Sequence, residues 1–302
     1  MAWTTTDFLV DVRRVGQFPT QTPSSLDDAS LLLEGDRALQ DSLVPLLLRT
    51  QEEFLVRRLT QALTAGTGAY PIPRRSVGSR VRDVFYVQSG SRNALPRLRP
   101  EQLRDFTTTA RGQPRGFYLD AANIILLPAP QAADSLEIAI YVRPGRMVAT
   151  TSARALTSVS VGTSLTTLGF ATYSTFGTTV DVISKDPPFE HKGLDLATAS
   201  VTTTSLTVPN ASLLATPVVG DWIATPDTSP VMQLPVEAHP LLVQRAAASV
   251  MQGLGYLEEA IALEKKADRM ERDVIDVLTP RTDGSPSRVT GGLLGLINRG
   301  RW

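Results

Sequence analysis

Residues 236–278 read VEAHPLLVQRAAASVMQGLGYLEEAIALEKKADRMERDVIDVL, and no other stretch constrains the fold as strongly. Apolar side chains recur at helical spacing: Leu242, Ala246, Val250, Leu254, Leu257 and Ile261, then Leu263, Ala267, Met270, Val274 and Val277. Pro240 lies in the first turn and Pro280 just past the last periodic residue, where prolines open and close helices. The spacing predicts one helix of about 40 residues, roughly 60 Å long at 1.5 Å per residue, more than an average domain core needs. Val250, Leu254 and Leu257 are its expected core positions. Glu264, Lys265, Lys266, Asp268 and Arg269 form a polar stretch for solvent or a neighbouring subunit.

Residues 281–302, RTDGSPSRVTGGLLGLINRGRW, change character abruptly. Glycine and Ser-Pro-Ser disfavour independent folding, while Leu293, Leu294, Leu296, Ile297 and Trp302 have no local partner to cover them. A projecting helix followed by an arm with an apolar tip predicts a protein that plugs into another protein.

The first 70 residues read as helical. Thr5 or Thr6 caps a short helix over Asp7–Val15, ended by Gly16 and Pro19. Ser24 or Ser25 with Asp27 and Asp28 opens a second segment, with Leu26, Leu32, Leu33, Leu39, Leu43, Leu46 and Leu47 on one face. Pro45 splits it, and its second piece is expected to run from Leu46 to about Leu63, up to the Gly66-Thr67-Gly68 turn.

Strand signals then take over. Val84-Phe85-Tyr86-Val87 is β-prone, GFYLDAANIILLPAP reads as a hairpin turning at Asp120–Asn123, and SLEIAIYVRPG alternates as a further strand. Ten arginines fall between positions 74 and 115, from Arg74 to Arg115, against Asp83, Glu101 and Asp105. Residues 149–230 are rich in threonine and serine, with short β-branched runs between Gly, Pro and Asn, and predict a small β-barrel or sandwich inserted as a lobe. The expected class is therefore α+β: a helical bundle with one long C-terminal helix, a few antiparallel strands, an inserted β lobe and an extended tail. The expected division is a body of 1–148 and 231–280, a lobe of 149–230 and a tail of 281–302.

Composition excludes several functions. The 302 residues carry zero formal net charge, so no global basic field draws them to nucleic acid or lipid. Only four of the 30 basic residues are lysines, and arginine's forked pairing suits protein interfaces, although genomic base composition gives the same excess. There is no cysteine, hence no disulfide framework and no thiolate metal site. MAWTTTDFLVDVRR lacks the basic n-region of a signal peptide, and no apolar run is long enough to span a bilayer, so a soluble protein made inside the cell is expected.

Reactive groups are sparse. His191 and His239 are the only histidines; His239 reads as a packing or capping residue at a helix start, His191 as a solvated loop residue. Phosphate-cradling, zinc-protease and nucleophile-elbow motifs are absent, and the adjacent acid pairs point to different sides of their helices. No catalytic residue, metal site or cofactor is expected. For the arginines, a solvated face paired within the chain competes with a protein interface made of Arg74, Arg75, Arg80, Arg82, Arg97 and Arg99. A nucleic-acid surface would require more aromatic interleaving than Phe85, Tyr86, Phe106, Phe117 and Tyr118 provide.

Several stretches in order resemble the head-to-tail adaptor (head completion, connector) proteins of tailed bacteriophages: DSLVPLLLRTQEEFLV, YPIPRRSVGSRVRDV, GFYLDAANIILLPAP, EIAIYVRPGRMV, TTVDVIS, GDWIA, LPVEAHPLLVQRAAASVMQGLG and DVLTPRTDGSPSRV. The resemblance implies a virion structural protein at the neck of the capsid vertex, made in the host cytoplasm. It implies binding to the portal protein, a homo-oligomeric ring, dodecameric like the portal, and a surface for the next tail or neck protein. Double-stranded DNA would pass through the channel without sequence-specific binding. The portal-docking tail would then hold Arg281, Arg288, Leu293, Leu294, Leu296, Ile297, Arg299, Arg301 and Trp302. The competing reading is a virion-associated cell-wall hydrolase or binding protein, with Phe170, Tyr173, Phe176 and Trp222 of the β lobe as sugar platforms.

Overall fold

The computed structural model describes residues 3–18, 26–105, 111–173 and 176–279. Its architecture is mixed α+β, with helices at both ends of the described chain and curled antiparallel sheets between them. Helix α1 (Thr5–Val15) is capped by Thr4, whose hydroxyl accepts from Asp7 N–H while the Asp7 carboxylate accepts from Thr4 N–H. Helix α2 (Asp28–Ala38) is capped by Asp27 and runs through a π-helical turn, Leu39–Leu43, into α3 (Val44–Thr50). Pro45 therefore sits just past a π-helical turn, the irregularity that accommodates a proline within a continuous helical path. Gly35 lets α1 and α2 touch: a Cβ there would lie 2.5 Å from Phe8.

The segment 236–278 is not one rod. A short 3-10 turn, Val236–Ala238, leads into α4 (His239–Gly253); the chain turns at residues 254–256 and returns as α5 (Leu257–Leu278). Gly255, at φ +87°, makes the corner in a conformation that side chains disfavour. The doubling back brings both apolar faces onto one core. Leu241, Leu242, Ala246 and Val250 of α4 and Ala267, Val274 and Leu278 of α5 pack with Phe8, Val12, Leu31, Leu43 and Leu47. Leu257, expected to face the core, is 58% exposed, Ile261 beyond it is 50% exposed, and Leu254 is only half-buried at the corner.

A second correction concerns residues 46–63. Helix α3 stops at Thr50, and Val56–Ala62 is a strand paired antiparallel with Ser135–Val142. Ladder pairing along seven residues overrides the helical look of the leucine spacing. The four-stranded sheet runs Val56–Ala62, Ser135–Val142, Ser76–Gln88, Ser91–Leu95. Alternate residues Leu136, Ile138, Ile140 and Val142 point into a core shared with Ile124 and Leu126 of the expected hairpin, which turns between Asp120 and Asn123.

Residues 154–224 contribute all seven strands of an antiparallel sheet with its own core, including Leu168, Phe170, Val180, Val182, Leu206 and Ile223. The sheet curls, so that His191–Ala197 at one edge reaches Ser205–Pro209 near the other. Where the chain enters and leaves this region, Arg146–Met147 pairs in parallel with Thr228–Ser229. Among the described residues no helix is long and apolar enough to cross a membrane.

Candidate functional site

The arginine-rich stretch begins where Pro71, Ile72 and Pro73 end one strand and Ser76 N–H closes a turn on the Pro73 carbonyl, 2.9 Å away. That turn aims two consecutive guanidinium groups at the curled seven-stranded sheet. Arg75 is 4% exposed; its Nη1 donates to Asp181 Oδ2 at 2.8 Å and forms an ion pair with Asp227 Oδ1, also 2.8 Å away. Asp181 is wholly buried in the strand Thr179–Ile183; its Oδ1 accepts from Asp195 N–H at 2.8 Å and its Oδ2 from Asp227 N–H at 3.1 Å. Arg74 lies outside this core and grips Asp195 with two parallel bonds, through Nε at 3.0 Å and Nη2 at 2.5 Å. Burial pushes the Asp181 carboxyl above its ordinary value, opposed by the Arg75 charge and the Asp195 N–H.

His191 and Gln233 extend the knot. His191 is buried at the start of its strand, contrary to the solvated loop expected from sequence; the preceding Pro187-Pro188 is exposed, and the chain turns inward only at Phe189, which is buried. Gln233 receives Gly145 N–H at 2.6 Å, donates to the Phe189 carbonyl at 3.2 Å and reaches His191 Nε2 at 3.0 Å. Burial, then the Arg75 and Arg57 charges, hold the His191 pKa well below its ordinary value. Its neutral ring accepts at Nε2, with the proton on Nδ1. His239 packs as expected, stacked on Trp3 with ring centroids 4.6 Å apart.

The other arginines of the stretch are placed differently. Arg82 pairs with Glu53 at 2.5 Å and Asp83 at 3.5 Å. Arg92 lies 3.7 Å over the Phe85 ring and pairs with Glu137 at 2.7 Å. Arg80 is exposed beside the Tyr141 ring. Arg97 and Arg99 flank Leu98, whose N–H bonds the Phe117 carbonyl at 2.7 Å, and Arg115 immediately precedes that same strand, Gly116–Asp120. Arg80, Arg97, Arg99 and Arg115 are exposed and make no ion pair among the described residues. The site residues Arg281, Arg288, Leu293, Leu294, Leu296, Ile297, Arg299, Arg301 and Trp302 lie outside the described residues.

The carboxylate partners Asp181, Asp195 and Asp227 escaped sequence reasoning, as did Gln233. One signal was present: Asp181 interrupts the run Val180-Asp181-Val182-Ile183, and a lone charge inside a buried strand demands a partner. Two of the four proposed sugar platforms are core instead, and the other two, Tyr173 and Trp222, are half-buried. Phe170 and Phe176 are each 4% exposed and meet edge to face at 5.1 Å, with Tyr173 packed on Phe176. Among the described residues no three His, Cys, Asp or Glu side chains are grouped to hold a metal ion.

The sequence model of a family described as SU10 adaptor protein matches residues 6–164, just over half of the chain. That span holds α1 to α3, the four-stranded sheet, both arginines of the knot and the first strand of the seven-stranded sheet. No curated protein matches the sequence.

Proposed function

The chain belongs to the SU10 adaptor family, a family of structural head-to-tail connectors of phage virions, and we propose that it joins the portal to the tail as a closed ring. The match over 6–164 carries this reading; a hydrolase has no support, because Phe170 and Phe176 of its platform aromatics are core and Tyr173 and Trp222 are half-buried. The ring sits at the capsid vertex on the portal, with the portal's dodecameric symmetry, and offers its far face to the next neck or tail protein. It is made in the host cytoplasm before the virion is assembled. Double-stranded DNA passes through the channel without sequence-specific binding.

In this reading the body comprises 1–148 and 231–280, the lobe 149–230, and residues 281–302 are the portal-docking arm. Ordering an arm opposes docking by about 1–2 kcal/mol per residue, so it needs an apolar anchor. Leu293, Leu294, Leu296, Ile297 and Trp302 supply one, and a ring of such arms holds far better than one. Arg80, Arg97 and Arg99 meet acidic side chains of the neighbour or the portal, while Arg74, Arg75 and Arg82 shape that face from within.

Electron microscopy of the purified protein mixed with portal rings tests the reading. Twelvefold decoration of one portal face is expected, lost when residues 282–302 are deleted with the melting temperature almost unchanged. Undecorated portals with the full chain would overturn it.

A further inference from the structure

A groove of about 540 Å³ opens where α5 ends. Phe54, Pro188, Pro235, Val236, Val277 and Leu278 supply its apolar lining. Val277 is 66% and Val236 49% exposed, so large aliphatic groups face solvent in a concavity. Apolar surface gathered in a hollow marks a binding site more often than scattered surface leucines do. Glu237 sits on the rim, exposed, with no ion pair among the described residues.

We infer that this groove is a docking surface for residues 293–297 of the same chain. The groove is built in part by Leu278, so the segment that would fill it is tethered at its edge. Leu293 is 15 residues further on. A flexible chain of that length has a root-mean-square span of about 20 Å, which reaches any point of the groove. Such a short tether holds the apolar Leu293, Leu294, Leu296 and Ile297 at an effective concentration in the millimolar range. Even a contact with a dissociation constant of about 1 mM is then substantially occupied. Charge agrees with the seating: Arg299 and Arg301 follow the apolar run and Glu237 waits at the rim. A second copy at micromolar concentration competes poorly against a tethered segment. The contact covers an apolar tip that would otherwise promote aggregation, and it is separate from any later use of the segment on a portal.

The absence of cysteine makes a direct test available. Val236→Cys with Leu294→Cys in the full chain should form an intramolecular disulfide under mild oxidation, read as a mobility shift on a non-reducing gel. The control is Arg272→Cys with Leu294→Cys: Arg272 is exposed on α5, less than two turns before Leu278, and lies outside the groove lining. The groove pair should close on the order of ten times faster, reflecting local concentration rather than chance collision. Adding Val277→Asp to the groove pair should slow it to the control rate. Equal rates for the two pairs, or a rate untouched by Val277→Asp, would overturn the docking surface. A disulfide that forms only between chains would overturn the same-chain occupant. No portal is present, so the result is separable from portal attachment.

Discussion

Arg75 and Asp181 lie 106 residues apart in the chain and are joined by a 2.8 Å hydrogen bond between side chains that are 4% and 0% exposed. The bond fastens the turn before the strand Ser76–Gln88 to Thr179–Ile183, the strand next to one edge of the curled seven-stranded sheet. A buried ion pair adds little net stability over an apolar pair of the same shape, but losing one partner strands a charge without water. The pair therefore acts mainly on geometry: it admits one orientation of the two sheets and penalises the others. Arg74, Asp195, Asp227, His191 and Gln233 brace it with further bonds.

Replacing one partner should accordingly be severe. Arg75→Met is expected to destabilise the protein by about 3–5 kcal/mol, because Asp181 must then hold an unpaired charge in a dry site or take up a proton there. Asp181→Asn added to Arg75→Met should recover part of that loss, since it removes the buried carboxyl charge while its one amide oxygen still accepts one of the two N–H groups, of Asp195 or of Asp227, that bond the two carboxylate oxygens. Urea unfolding of the single and double variants measures the coupling. A single-variant loss below about 1 kcal/mol would show that the pair does not hold the sheets.

Both histidines are buried with depressed pKa values, which fixes the sign of the acid response. Burial lowers His239 to about 4, despite nearby carbonyls and Glu237, and His191 is lowered well below its ordinary value by burial and by Arg75 and Arg57. Below pH 6.5 the unfolded chain takes up protons that the folded chain refuses, so stability falls with pH through that window. The contribution is complete above about pH 6.5, and His239 alone forfeits about 3 kcal/mol by pH 4. Unfolding free energies measured between pH 7.5 and 4.5 should therefore drop, and His239→Gln should flatten the slope. An unchanged slope in that variant would place the titration elsewhere.

The α4–α5 hairpin separates positions that the periodic sequence treats alike. Leu242→Ala empties a fully buried site and should cost about 2–5 kcal/mol. Leu257→Ala, on a side chain 58% exposed, should change stability by less than about 0.5 kcal/mol. Gly255→Val should cost more than about 1 kcal/mol, because a β-branched residue is strained at φ +87°. Thermal unfolding of the three variants ranks them; a costly Leu257→Ala would mean that the helix continues unbroken and buries that face.

Helix α1, the Asp120–Asn123 hairpin and the strand Ser135–Val142 were legible because helix starts, turn residues and alternation are local signals, although the cap of α1 is Thr4 rather than the expected Thr5 or Thr6. The break at Gly255 was not, since Gly-Leu-Gly costs an exposed helix only about 2 kcal/mol and the leucine spacing continues through it. What decides the break is the core on which both halves converge, a tertiary fact. Strand Val56–Ala62 was hidden for the same reason: its ladder partner lies some 80 residues away. Of the site, the basic stretch was visible and its division was not. Whether an arginine faces solvent or a carboxylate depends on residues such as Asp181 and Asp227, which only folding brings near.

The exposed arginines allow one further test, which separates a protein partner from DNA. Arg97 and Arg99 project from a chain segment anchored through Leu98 and Phe117, so their positions are fixed while their charges stay unpaired among the described residues. Forked guanidinium groups held this way give orientation as well as attraction to a partner's carboxylates. A conduit that gripped DNA would retard its own cargo, and zero net charge gives the molecule no general affinity for it. Arg97→Glu with Arg99→Glu should leave the unfolding temperature within a few degrees, since both side chains are exposed, yet weaken ring assembly on portal and make it more salt-sensitive. Sedimentation with portal at two salt concentrations, run beside DNA binding across a salt series, reads both arms. Normal assembly combined with weaker DNA binding and a shallower salt slope would assign these arginines to a phosphate surface instead.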